Sequence, residues 1–157
     1  MNRRERVVAS LEHRQPDRIP YNIGFTVKAR ARMAEFLGDK DFESKLGNCL
    51  AGLGTEPANS WREVKPDIWE DAFGVRWDRS IDKDIGNVCN QVVTPDTLKE
   101  YRFPDPADPS RGAGYPEAIR KCRGDRFIVA NLGFSLFERA WTLAGIADQP
   151  TMSRAWA

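Results

Sequence analysis

The chain is 157 residues long, with 24 basic and 23 acidic residues and a formal net charge of +1. That balance excludes a general electrostatic attraction to nucleic acid or to an anionic membrane surface, and no apolar run approaches the roughly 18 residues of a membrane-crossing helix. Three cysteines, Cys49, Cys89 and Cys122, are an odd number without close spacing, which suits reduced thiols better than a disulfide framework or a zinc ribbon and makes the cytoplasm the expected compartment. At the N-terminus Asn2 precedes Arg3-Arg4-Glu5 as in a capping box, and Val7, Val8 and Leu11 form one apolar stripe, so a short charged amphipathic helix is expected rather than a signal peptide. Pro16 and Pro20 bracket a turn, after which Ile19, Tyr21 and Ile23 alternate over a short strand ending at Gly24.

Thr26 can cap a second helix carrying Val27, Met33, Phe36 and Leu37, stopped by Gly38. Asp41 opens a third. There Phe42, Leu46, Cys49, Leu50 and Leu53 share one helical face, which predicts helix to residue 53. Residues 54–66 hold Gly54, Pro57, Asn59, Ser60 and Pro66 without periodicity and read as a loop. Residues 75–77 and 88–93 read as two short antiparallel strands, joined through the polar turn around Asp82-Lys83-Asp84-Ile85-Gly86.

Thr94-Pro95-Asp96 places a cap, a proline and an acid ahead of Leu98-Lys99-Glu100-Tyr101, the pattern of a helix start. Prolines 104, 106, 109 and 116 mark an extended surface connection, with Pro116 able to begin a helix that Gly124 ends. Phe127-Ile128-Val129-Ala130 is an unbroken apolar run, as a strand buried on both faces requires. It passes directly into a helix starting at Ser135. No internal repeat or low-complexity tract is visible, and residues 1–157 are expected to form one domain.

Three segments carry a family resemblance, in the right order over about residues 3–145. The opening "RRERVVASLEHRQPDRIPYNIGF", the middle "DIWEDAFGVRWDR" with "LKEYRFPDPADPSR", and the late "GFSLFERAWTL" are similar to the N-terminal half of the uroporphyrinogen decarboxylase-like superfamily, which includes corrinoid-dependent methyltransferases. The resemblance implies an α/β fold: a partial (β/α)8 TIM barrel, comprising the first three or so strand-helix units with an inserted β-hairpin. A complete barrel typically needs about 250 residues. The expectation is therefore a truncated family member, with "GIADQPTMSRAWA" from Gly145 onward departing from the family pattern.

The family is enzymatic, but most of its catalytic groups lack a counterpart here. Family methyltransferases use zinc, held by a His-x-Cys motif and a later Cys, together with a corrinoid partner protein. No residue matches that motif, so no metal ligand is carried over, and His13 at the end of the first helix reads as a cation near a helix C-terminus. Uroporphyrinogen decarboxylases follow the first strand with an Arg-Gln-Ala-Gly-Arg-Tyr type segment that grips substrate carboxylates. The equivalent stretch is Gly24-Phe25-Thr26-Val27-Lys28-Ala29-Arg30-Ala31-Arg32, whose basic residues read as a solvated helix face.

That branch also places an aspartate ahead of an Asp-Ala-Met-Gly segment to stabilise the cationic intermediate, and Asp67 ahead of Asp71-Ala72-Phe73-Gly74 matches at a spacing two residues short. Asp67 is the candidate catalytic residue, with a turn role after Pro66 as the competing reading. Phe134, Ser135 and Trp141 are candidate substrate-binding residues: the aromatics, with Phe137, suit stacking on a flat corrin or porphyrin as well as core packing. Ser135-x-x-Glu138 reads as a capping box before a nucleophile and base. The implied parent substrate is a tetrapyrrole or a corrinoid protein. An interrupted barrel exposes strand edges, so a homo-oligomer is the expected state.

Overall fold

The computed structural model describes residues 1–54, 56–57 and 60–145, so the expectation about the segment after Gly145 lies outside the described residues. The fold is mixed α/β and divides into two compact units: residues 1–55 with 112–131, and residues 56–111 with the segment from Leu132 onward. One unit carries a parallel strand pair and the other a four-stranded antiparallel sheet. Among the described residues no closed barrel is formed.

In the first unit, α1 (Arg3–Leu11) begins with the expected capping box between Asn2 and Glu5. Its first amides are held from a distance in sequence. The Arg3 and Arg4 N–H groups donate to the side chain and carbonyl of Asp125, whose carboxylate also pairs with the Arg3 guanidinium. Helix α2 (Val27–Leu37) runs from its Thr26 cap to Gly38, whose φ of 62° is the left-handed geometry that glycine adopts without steric cost.

The expected third helix is cut short. α3 covers only Phe42–Lys45, and Leu50–Gly54 instead form strand β1. Gly47, at φ 77°, turns the chain out of the helix, and Leu50 and Leu53 of the apparent helical face enter the sheet. Helix α4 (Tyr115–Cys122) has proline in its first turn and ends at Arg123 and Gly124, both left-handed. Strand β6 (Phe127–Asn131) pairs parallel to β1 in the register Leu50 to Phe127 and Gly54 to Asn131.

Residues 19–24 run beside the start of β1 without forming the expected strand. Pro20 has no N–H to donate, and the Asn48 side chain takes both the N–H and the carbonyl of Ile23, bonds a neighbouring strand would otherwise make. One backbone bond remains, from the Cys49 amide to the Tyr21 carbonyl at 2.9 Å. The Cys49 carbonyl in turn accepts the Phe127 amide at 2.9 Å, so residue 49 links the segment around Tyr21 to the entry of β6.

The second unit holds more than the expected hairpin. Strands β2 (Arg62–Lys65), β3 (Ile68–Glu70), β4 (Arg76–Asp78) and β5 (Asn87–Val88) form a continuous antiparallel meander in that order. The expected pairing of β4 with β5 is present, with Trp77 opposite Val88. Residues 62–65, expected to be loop, are a strand because Glu63 and Lys65 pair with Trp69 and Ile68, a partner that periodicity within 54–66 does not reveal. Thr94 to Tyr101 make turns rather than a helix, although the Leu98 amide does reach the Thr94 carbonyl.

Helix α5 (Leu136–Ala144) starts at Ser135 as expected, and its capping box includes the Ser135 amide donating to the Glu138 carboxylate at 2.8 Å. The helix packs on the sheet through Leu143. Its carbonyl accepts the amides of Val92 and Val93, while Val75, Trp77, Val93 and Leu143 form the buried cluster.

Candidate functional site

The densest polar arrangement in the second unit surrounds Asp71, at the turn between β3 and β4. The Asp71 amide donates to the Val75 carbonyl and the Gly74 amide to the Asp71 carbonyl, each at 3.0 Å, and Gly74 supplies the φ of 77° that the turn demands. This geometry points the Asp71 carboxylate back over its own loop. One oxygen accepts the amides of Phe73 at 2.9 Å and Val75 at 3.0 Å. The other accepts the Trp77 indole N–H at 3.3 Å and the Arg139 guanidinium at 2.8 Å.

The Asp71 side chain has no solvent exposure, and that of Arg139 is 14% exposed. A carboxylate offers about four acceptor positions. All four are filled from within the protein, so Asp71 ties the turn to α5 and has no lone pair left for a substrate proton.

Aromatic rings close around this ion pair. Phe134 stacks on Trp77 with ring centroids 5.3 Å apart and planes 9° from parallel, and Trp61 lies 6.0 Å from Trp77 on a tilt. The Arg139 guanidinium sits 3.8 Å above the Phe73 ring and 5.1 Å from Phe134, both favourable cation–π placements. Tyr101 donates its hydroxyl to the Phe73 carbonyl at 2.9 Å, and burial pushes that phenol above its usual pKa. Glu56, 3.9 Å from the second guanidinium nitrogen, is the exposed end of the chain of charges.

The candidate residues from the sequence fall at different places in this unit. Phe134 joins the Asp71 cluster through Trp77. Ser135 is exposed and heads α5 as its cap, while Trp141 is half-buried on the same helix. Phe137, expected on the packed stripe, is 59% exposed. The inward face is instead Arg139, Thr142 and Leu143, at the i, i+3, i+4 spacing of the opposite side.

Asp67 sits in the β2–β3 turn with φ 59°. Its carboxylate pairs with Lys83 at 2.7 Å, its amide donates to Glu63 and its carbonyl accepts the Arg79 amide. Each of these contacts belongs to the turn reading. Sequence reasoning did not single out Asp71 and Arg139, although Asp71 opens the quoted Asp-Ala-Phe-Gly segment and Arg139 is the one cation among the apolar positions of α5.

The described side chains do not fit zinc. Cys49 and Cys122 are buried and Cys89 is exposed, with Cys49 facing the Gly47 carbonyl and Cys89 the Arg76 carbonyl. Among the described residues no group of three or more His, Cys, Asp or Glu side chains could hold a metal ion. The Phe134 ring stacks on Trp77 through one of its faces. Among the described residues no helix is long and apolar enough to cross a membrane.

No family model, curated protein or solved structure matches the chain.

Proposed function

We propose that this chain is the N-terminal part of a uroporphyrinogen decarboxylase-like (β/α)8 barrel, that the completed barrel is a corrinoid-linked methyltransferase, and that this portion alone performs no chemistry. The carrying observation is the parallel pairing of β1 with β6, set in a strand-helix alternation. The segment at 19–24 leads to α2, β1 leads through the antiparallel insertion to α4, and β6 is followed by α5. A lone parallel pair is not a stable sheet by itself, because parallel strands are ordinarily buried on both faces within a larger sheet. The second half of β6 is exposed, which fits a sheet that further strands would extend.

Two observations weigh against the decarboxylase reading. The arginine segment that would grip substrate carboxylates is absent after residue 24. Asp71 is saturated and offers no acceptor to a pyrrole N–H, and Asp67 stands in an exposed turn paired with Lys83. For the methyltransferase, the zinc-holding thiols would have to come from barrel strands outside this chain.

The test is direct assay of the purified chain for uroporphyrinogen decarboxylation and for methyl transfer from methylcobalamin to a thiol. Both rates should equal the no-protein control. Turnover in either assay would overturn the proposal that this portion is inactive alone.

A further inference from the structure

The first unit contains a cavity of about 400 Å3 at the end of the parallel pair where β1 and β6 begin. Its wall carries Arg3, Lys121, Arg123 and Arg126 against Glu43 and Asp125, four positive charges facing two negative ones. Both carboxylates are already engaged. Asp125 is held by the Arg3 guanidinium and the Arg3 amide, which keep it below its usual pKa, and Glu43 pairs with Arg30. Lys121 has only a 3.7 Å contact to the exposed Glu117. Among the described residues, the side chains of Arg123 and Arg126 make no hydrogen bond or close ion pair, and Arg126 acts on Asp125 only through its longer-range charge.

We propose that this cavity binds a small organic phosphate, with Arg123 and Arg126 as the principal phosphate-holding residues and Lys121 as a third cation. The net charge of +2 on the wall matches a phosphate monoester, which carries about −1.5 to −2 near pH 7. Guanidinium groups suit phosphate oxygens because their planar fork donates two parallel hydrogen bonds. The polar side chains on the same wall are committed elsewhere: Ser44 donates to Asp41 and Asn48 to the Ile23 carbonyl. Recognition therefore falls to the cations. The volume lies within the roughly 300–1,000 Å3 range of small-molecule sites and leaves room for a sugar-sized body beyond the phosphate.

The site is independent of the barrel chemistry proposed above. Barrel active sites are built at the C-terminal ends of the strands, whereas Leu50 and Arg126 stand at the N-terminal ends of β1 and β6. An alternative account of the same charges is that basic residues at the end of α4 offset its dipole. That account predicts no ligand.

The experiment is calorimetric titration of the full chain with ribose 5-phosphate, with ribose and inorganic phosphate as comparison probes, at pH 5 and pH 7.5. Ribose 5-phosphate should bind, and bind several-fold more tightly at pH 7.5, where its second ionisation is complete. Affinity should also fall as salt is raised. Arg123→Asn with Arg126→Gln should weaken binding at least tenfold, with a melting curve like that of the parent chain. Asn is chosen because it tolerates the left-handed geometry of residue 123. Should the double variant fail to fold, the pH and salt dependence of the parent chain decide the matter. Equal binding of ribose and ribose 5-phosphate, or no binding of any probe, overturns the proposal.

Discussion

At the scale of single residues, the second unit depends on a buried charge pair. Removing one member of such a pair leaves the other desolvated and alone, which typically costs about 3–5 kcal/mol. That is a large share of the roughly 5–15 kcal/mol by which a domain is stable. Asp71→Ala also strips the acceptors from two turn amides and the Trp77 indole, so it should be at least as damaging as Arg139→Leu. Urea unfolding followed by tryptophan fluorescence reads both; equal stability of Asp71→Ala and the parent would show that the turn holds without its carboxylate. In the first unit, the hydrogen bond from Arg6 lowers the Asp17 carboxyl from the usual 3.8 to about 2, with the N-terminal amine adding to the effect. A carboxyl depressed in the folded state contributes stability above its unfolded pKa, and that contribution is lost as pH falls from about 3.8 to about 2. Arg6→Gln should therefore return the Asp17 carboxyl toward its ordinary value in an NMR titration.

At the scale of elements, the β4–β5 hairpin turns on Gly86. Its φ is 85°, and a Cβ placed there would lie 2.6 Å from the Asp78 carbonyl oxygen, which is backbone and cannot swing away. Gly86→Ala combines a clash with a left-handed strain of about 1–3 kcal/mol. It should loosen the pairing of Trp77 with Val88 first. Amide exchange should quicken around residues 76–89 while α1 and β6, in the other unit, keep their protection. Uniform loss across both units would mean that they unfold as one. The four-stranded meander also accounts for a contrast between Trp77 and Arg79. Trp77 faces the core, whereas Arg79, one residue past β4, lays its guanidinium 4.4 Å from the Trp61 ring and 5.5 Å from the Trp69 ring, so the aromatic side of the sheet ends under a cation.

At the scale of the whole molecule, β6 leaves its second half exposed in one unit, and Leu136 and Phe137 of α5 are exposed in the other. Unpaired strand edges and large apolar patches are the surfaces through which chains associate. A homo-oligomer is the outcome we expect, with β6 and the Leu136 and Phe137 side of α5 as contacts. Sedimentation at micromolar concentration should show a dimer or larger species, and Leu136→Lys with Phe137→Glu should shift it toward monomer. A parent chain that sediments as a monomer with one cooperative melt would argue that these residues close cores of their own.

What the sequence determined by itself is what depends on near neighbours. The caps at Asn2, Thr26 and Ser135, the stop at Gly38, the start of α4 at Pro116 and the apolar strand at 127–130 all follow from side chains acting on backbone within a turn or so. Tertiary structure decided the rest. Leu50 and Leu53 carry a helical spacing, yet β6 arrives more than seventy residues later to take their backbone into a sheet. Glu63 and Lys65 show no strand pattern, but Trp69 and Ile68 pair with them across a turn. Asp71 and Arg139 are 68 residues apart, so their ion pair forms only once the meander and α5 pack together. Periodicity reports how a segment would bury its own face. Partners distant in sequence decide which conformation leaves every buried backbone group and charge satisfied.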